Sequence, residues 1–394
     1  MSIKFVNTPS LEGMDAQITP VVGENPHCRI PSVRALYTAV SRQELMDHKP
    51  GTVQGFVLAF EEGLKNIVFA NLDCRHDHFK LVNTVAEAVR TAVEMHSQNI
   101  FIPVGTDFTD EEVSLICQGL MIGAYRFDLY KTEKSPKVRF TVYSERDYSA
   151  AVQNGKMLGE CTNLARDLVN TPGSDMTPVV LAQKAAAQAE LCGVKYEIFD
   201  EFEIEKMGMG SFLAVARGSV NPPRLIVLRY QGDPENDSTV ALVGKGITFD
   251  TGGYDIKDDE SMSTMKSDMG GAAAVIGAVL AIARAGIKAN VTAVVAACEN
   301  RVSGNAYLPG DVLRTMSGKT VEVINTDAEG RLTLIDAVTY AVQKENAFAV
   351  IDIATLTGGQ VVSLGYRYAA LISDSKVLTE MIQKASATCG EKVW

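Results

Sequence analysis

Residues 239–257 read TVALVGKGITFDTGGYDIK, an apolar run that passes directly into a lysine, an aspartate, paired glycines and a second lysine. An apolar run without polar alternation is the pattern of a strand covered on both faces. Comparable runs follow at RLIVLRY, NVTAVVAAC and AFAVIDIATL, separated by helical patterns such as GGAAAVIGAVLAIARAG and RLTLIDAVTYAVQK. The reading is therefore α/β, with a mixed, mostly parallel central sheet covered by helices on both faces. In such folds ligands bind beyond the carboxyl ends of the strands. Lys245, Asp250, Lys257 and Asp268 follow one run, and Asp327, Glu329 and Arg331 follow a second strand pattern, TVEVIN.

Outward from this core, 394 residues suggest two domains. Residues 1–146 are expected to form a smaller N-terminal α/β domain. There GFVLAFEEGLKNIVFANLD reads as strand, turn, strand, and KLVNTVAEAVRTAVEMHSQ as a helix before the strand NIFIPVG. TDEEVSLICQGLMIGAYRF opens with a threonine cap and an acidic first turn, which predicts another helix. Residues 147–394 are expected to form a second, larger α/β domain, entered through the long helix YSAAVQNGKMLGECTNLARDLVN. After it, Thr177 caps a helix that has Pro178 at its first position.

Four carboxylates and two lysines without histidine fit a two-cation site, because carboxylates suit hard divalent ions that can share bridging oxygens. All five histidines lie within the first 96 residues, which removes Ser-His pairs, Cys-His pairs and His-ligated zinc from residues 97–394. A lysine can ligate a metal only as the neutral amine, and a nearby dication favours that form. Asp327, Glu329 and Arg331 are two apart, so an extended segment would turn all three to one side. A helix starting near Gly330 would add its N-terminus to Arg331 as an anion site. Taken singly, each fragment has a plainer reading. Asp-x-Glu-x-Arg is usually a helix cap with a salt bridge, Asp250 before two glycines is turn chemistry, and Lys245 between glycines is a solvated loop lysine. GKG at 244–246 is not a phosphate loop, since Thr239 and Gly246 stand where that loop needs glycine and Ser or Thr. CRHDH, with Cys74, His76 and His78, lacks a second ligand pair and reads as a solvated loop.

The net charge is −11, with 37 Lys+Arg against 48 Asp+Glu, and no basic stretch offers a phosphate-binding face, which argues against a nucleic-acid partner. Seven cysteines without a C-x-x-C point to free thiols in a reducing compartment. No uncharged apolar run reaches the roughly 18 residues of a membrane span, and the N-terminus has no apolar signal core. A cytoplasmic location is the expectation.

VGKGITFDTGGYDIK, MKSDMGGAAAV, NTDAEGRLTLIDA and DIATLTG together resemble the leucyl aminopeptidase family of dinuclear metal aminopeptidases, and GITFDTGGYDIK is most similar to its peptidase B branch. The resemblance covers roughly residues 155–390. It implies removal of N-terminal residues from peptides by water activated between two divalent metal ions, Mn²⁺ or Zn²⁺. Asp250 and Glu329 would bridge the metals, Lys245 and Asp268 would complete the tighter site, and Asp327 the more exchangeable one. Lys257 would polarise the scissile carbonyl, and Arg331 would hold a bicarbonate ion as general base. Met265 and the turn Thr355, Leu356, Thr357, Gly358 would line the pocket for the N-terminal side chain. A homohexamer is implied as well. The family's catalytic domain usually runs several tens of residues beyond this point, so the catalytic domain is expected to be C-terminally incomplete. The alternatives are a dinuclear metal phosphohydrolase, or the scaffold or DNA-binding role of some relatives.

Overall fold

Apolar patterning and capping residues set the element boundaries along the chain. The computed structural model describes residues 1–61 and 63–394. They form two compact units, Met1–Asn163 with Gly358–Trp394, and Leu164–Thr357.

The first unit opens with β1 (Ser2–Val6), β2 (Ala16–Val22), β3 (Asn25–Pro26) and α1 (Pro31–Arg42). It continues with β4 (Val53–Phe60), β5 (Gly63–Asn71), α2 (His78–Glu94), β6 (Asn99–Pro103), α3 (Asp110–Gly123), β7 (Arg139–Tyr143) and α4 (Ser149–Asn170), the last of which runs on into the second unit. The strand order is β1-β7-β6-β2-β5-β4, with β3 paired to β2. Every pairing along that path is parallel except the β4–β5 hairpin. Ile18, Val68, Ile100 and Phe140 share one core with α2 and α3. Val21, Ile67 and Phe69 share another with Val33, Tyr37 and Val40 of α1. The Thr109 cap is a full capping box with Glu112. In CRHDH, Cys74 is buried with its thiol against Asn71 and Thr84, and His78 lies 3.9 Å from Glu111.

The second unit contains α5 (Pro178–Leu191), β8 (Lys195–Phe199), α6 (Glu201–Lys206), α7 (Gly210–Ala216), β9 (Arg224–Gln231) and β10 (Thr239–Asp250). After these come α8 (Asp259–Met262), α9 (Gly270–Arg284), β11 (Asn290–Asn300), the β12–β13 hairpin (Val312–Arg314, Thr320–Glu322), α10 (Glu329–Gln343) and β14 (Ala347–Ile353). The sheet order is β14-β10-β11-β9-β8. The pairs on either side of β10 are parallel, and those on either side of β9 antiparallel. Phe212 of α7 and Leu332, Ala337 and Tyr340 of α10 pack on Val227, Ala241, Val243 and Val294. On the opposite face, a Cβ at Gly244 of β10 would meet Ala272 and Val275 of α9. By length and composition alone, the helical stretch Met265–Arg284 could cross a membrane, but α9 buries Val275, Ile276, Val279 and Leu280 in this unit. The Thr177 cap and Pro178 at the first helical position are present in α5.

The division differs from the expected boundary at 146/147, which falls between β7 and α4. Ala151 and Val152 of α4 belong to the first core, and Asn163 Nδ2 donates to Met121 O there. Residues 358–394 also group with the first unit, where α12 (Lys376–Cys389) packs against α2 and follows α11 (Gly358–Leu364). One further expectation is corrected. TVEVIN does not enter the central sheet; among the described residues its strand Thr320–Glu322 pairs only with Val312–Arg314. The apolar FLAVARG forms most of α7, because Phe212 and Val215 bury one helical face.

Asp336 fixes the register of α10 against α7. Its fully buried carboxylate accepts from Ser211 Oγ (2.8 Å), Phe212 N (3.0 Å) and Met316 N (2.8 Å). Burial pushes its pKa up, and these donors offset part of that rise. Asp336→Ala is expected to lower stability by about 2 kcal/mol or more in urea denaturation, since it leaves the buried Phe212 N–H and the half-buried Met316 N–H without their acceptor, while Ser211 Oγ keeps Leu332 O. A loss below about 1 kcal/mol would mean that water replaces the carboxylate.

Candidate metal centre

Lys245 and Asp250 are five residues apart in β10, so simple alternation would place them on opposite faces. They face the same site because the β10–β11 register shifts between Ile247 and Phe249, which inserts Thr248 as an extra residue. The strand therefore runs through the lysine to Asp250, rather than ending before it. Gly252 and Gly253, with φ of +85° and +69°, then turn the chain so that Lys257 returns to the strand end. Asp268 ends a 3₁₀ turn, Met265–Ser267, just before α9.

Asp327 and Glu329 arrive differently from the expected extended segment. Asn325 caps a 3₁₀ turn by accepting from Asp327 N (2.7 Å), and α10 begins at Glu329. Helical rotation replaces period two, so Arg331 does not share the direction of Glu329. Arg331 is exposed in the first turn of α10. Oxygens of Asp250, Asp327 and Glu329 lie within 4.8 Å of one another.

Two ammonium groups divide the carboxylates. Lys245 Nζ sits 2.9 Å from Asp268 Oδ1, 2.8 Å from Glu329 Oε1 and 2.9 Å from Thr355 O. Lys257 Nζ sits 3.0 Å from Asp250 Oδ2 and 2.5 Å from Asp327 Oδ1. Lys245, Asp250, Asp268 and Glu329 are 2, 2, 4 and 1 % exposed. Burial pulls both lysine pKa values down, but the facing carboxylates outweigh it and raise them. Burial likewise raises Asp268, to about 6, and lifts Glu329, with Lys245 opposing both rises. Four acids against two bases leave the cluster short of positive charge.

Two buried oxygens, Asp268 Oδ2 and Glu329 Oε2, have no hydrogen-bond partner among the described residues. Buried carboxylate oxygens without donors are the form of site that a hard cation satisfies. The residues present therefore fit divalent metal.

The surrounding bonds hold this arrangement. Thr326 Oγ1 donates to Gly252 O (2.7 Å) and accepts from Asp255 N (2.8 Å), while Thr326 N donates to Asp255 Oδ2 (2.7 Å). Asn300, at the end of β11, donates to Asp250 Oδ1 and to Thr326 O. Sequence reading named neither Thr326 nor Asn300, although a polar residue closing the apolar run of β11 was a visible signal. Thr355 was expected to line a side-chain pocket, yet its hydroxyl donates to Asp268 Oδ1 (2.7 Å). Leu356 lies beside Gly330, Thr357 is exposed, and Gly358 begins α11.

The catalytic-domain profile described as the cytosol aminopeptidase family matches residues 163–394. The chain belongs to the cytosol aminopeptidase family. A probable cytosol aminopeptidase of Clostridium perfringens is 41% identical over 395 residues, covering 96% of this chain and 80% of that relative. One from Clostridium tetani is 39% identical, covering 97% and 81%. Among solved structures, the bottromycin maturation enzyme BotP in complex with Mn is 29% identical with a TM-score of 0.83, covering 97% of this chain and 81% of that one. Membership makes the chain a metal-dependent aminopeptidase, a hydrolase.

Gly330 opens α10 against Lys245. A Cβ there would lie 2.7 Å from Lys245 Cε, 2.9 Å from Nζ and 3.0 Å from Leu356 Cδ1. Helix propensity alone would make Gly330→Ala stabilising by about 1 kcal/mol. We expect instead no gain in melting temperature and a Mn²⁺ affinity lower by about tenfold in calorimetric titration, as for other disturbances next to a ligand.

Proposed function

We propose that the chain cleaves N-terminal residues from peptides at a centre holding two divalent cations, Mn²⁺ or Zn²⁺. One observation carries this reading: four carboxylates, three of them buried and that of Asp327 half-buried, converge around two ammonium groups, whose positions split them into two sets. Asp250 and Glu329 would be shared between the cations. Lys245, as the neutral amine, and Asp268 would complete one position, and Asp327 the other. When bound, the cations would supply Lewis acidity and lower the pKa of a water molecule.

The chain's own residues supply the rest. Lys257 is held charged by Asp327 and Asp250, which suits it to donate to the scissile carbonyl oxygen. Arg331 and the N-terminus of α10 favour an anion, and bicarbonate there would accept the proton from water. Met265 and the segment 355–358 would border the subsite for the N-terminal side chain. The names of the relatives and the Mn complex of BotP support cytoplasmic peptide hydrolysis with Mn²⁺ as the first metal to test. A homohexamer acting on free peptides, without membrane or nucleic-acid partners, completes the proposal, and the net charge of −11 supports its last part.

The test is hydrolysis of aminoacyl-arylamides beside an aryl phosphate, with Mn²⁺ or Zn²⁺ added and metal content measured. Arylamide turnover with two metals per chain is expected; turnover of the phosphate alone would sink the peptidase reading. Lys245→Ala should lose bound metal, and unchanged content at both positions would remove it from the ligand set. Arg331→Ala should keep both metals but slow turnover by about 10²–10⁴-fold, the usual worth of a general base. If that variant loses metal instead, Arg331 is structural.

A further inference from the structure

We infer that Asn300 is a positioning residue for the metal centre: it commits one oxygen of Asp250 to the protein, leaves only Oδ2 for a cation, and ties that carboxylate to the turn carrying Asp327. This rests on the metal reading above. Asn300 and Asp250 are register partners at the ends of the parallel strands β11 and β10. Asn300 is fully buried. Its Nδ2 donates to Asp250 Oδ1 at 2.8 Å and to Thr326 O at 3.0 Å. Both partners only accept, so chemistry fixes the amide orientation, with nitrogen toward Asp250.

Gly252 N, at 2.8 Å, is a second donor to the same oxygen. Two strong donors occupy Asp250 Oδ1, while Oδ2 faces the ammonium of Lys257 at 3.0 Å. The carboxylate is thereby prevented from rotating or chelating through both oxygens. The other amide proton reaches the carbonyl of the residue preceding Asp327. One side chain thus sets the spacing between carboxylates that come from β10 and from the turn before α10. Aspartate at 300 could not do this, since it would add a fifth carboxylate and face two acceptors with no donor. Gly253 is part of the same fit, because a Cβ there would lie 3.1 Å from Asn300 Oδ1 and 2.8 Å from Thr326 Oγ1.

Tyr307 provides the control. Its hydroxyl donates to the same Thr326 carbonyl at 2.6 Å, and no hydrogen bond joins it to Asp250 among the described residues. The test titrates Mn²⁺ into metal-free wild type, Asn300→Ala and Tyr307→Phe by calorimetry, with Mn²⁺ electron paramagnetic resonance and thermal melts of each. Asn300→Ala should weaken Mn²⁺ binding about 10- to 100-fold, the usual effect of losing a partner behind a metal ligand, and alter the resonance of the bound ions. Tyr307→Phe should lower the melting temperature but keep Mn²⁺ affinity within about threefold. Wild-type affinity in Asn300→Ala overturns the inference, as does equal weakening in both variants, which would mark a general structural role. If Asn300→Ala does not fold, Asn300→Ser, too short to reach Asp250, is read by the same criteria. Absence of Mn²⁺ binding by wild type is a different result, and it overturns the metal reading itself.

Discussion

Concentrated negative charge at one end of a buried sheet is the constraint around which the second unit is organised. Asp250, Asp268 and the pair Asp327 and Glu329 come from three separate places in the chain, and Lys245 and Lys257 stand among them. Carboxylates in such surroundings repel one another and lose hydration, so each must be held by donors or cations. The local irregularities of the unit occur where these residues are delivered. The extra residue in β10 turns Asp250 to the side of Lys245, the two left-handed glycines bring Lys257 back, and a capped 3₁₀ turn places Asp327 just before a helix that starts on Glu329.

The protein satisfies only part of this demand. Gly252 N and Asn300 Nδ2 occupy one oxygen of Asp250, and Thr355 Oγ1 reaches Asp268. The N-terminus of α10 gives Glu329 a favourable dipole. Those bonds fall on Asp250 Oδ1 and Asp268 Oδ1, whereas Asp268 Oδ2 and Glu329 Oε2 have no donor among the described residues. Complete satisfaction would make a more stable protein and a poor ligand set. Burial raises the pKa of Asp268 and Glu329 further than Lys245 lowers it, which is consistent with a site that binds cations.

The central strands β10 and β11 were legible because burial on both faces demands unbroken apolar runs such as TVALVG and NVTAVVAAC, whereas AFAVIDI forms the edge strand β14 with Phe348 and Ile353 exposed. The four carboxylates and two lysines were legible as a set for a similar reason: charge next to apolar sequence needs a purpose. Their geometry was not. A one-residue shift between β10 and β11 depends on pairing across the sheet and has no signature within GITFD. The sequence around 327–331 fits period two as well as a helix start, and the Asn325 cap decides between them. TVEVIN has strand composition, but composition does not say which strand it pairs with. Asn300 was overlooked because one amide at a strand end is ordinary until its two acceptors are known.

Placement of the lysines shows how the site can stay folded without metal and still accept it. Lys245 meets three acceptors, the number that an ammonium group can satisfy. Lys257 meets two carboxylates, one on each delivering segment. These bonds hold the carboxylates together when no other cation is present, so the geometry does not have to be assembled at the moment of binding. Under the two-cation reading, Lys245 must give up a proton to serve as a ligand, and its present partners are the groups that make this difficult. Binding is then coupled to proton release and favoured by rising pH. On that reading a cation displaces the Lys245 proton while Lys257 keeps its charge, and the donors to Asp250 Oδ1 hold that ligand in place.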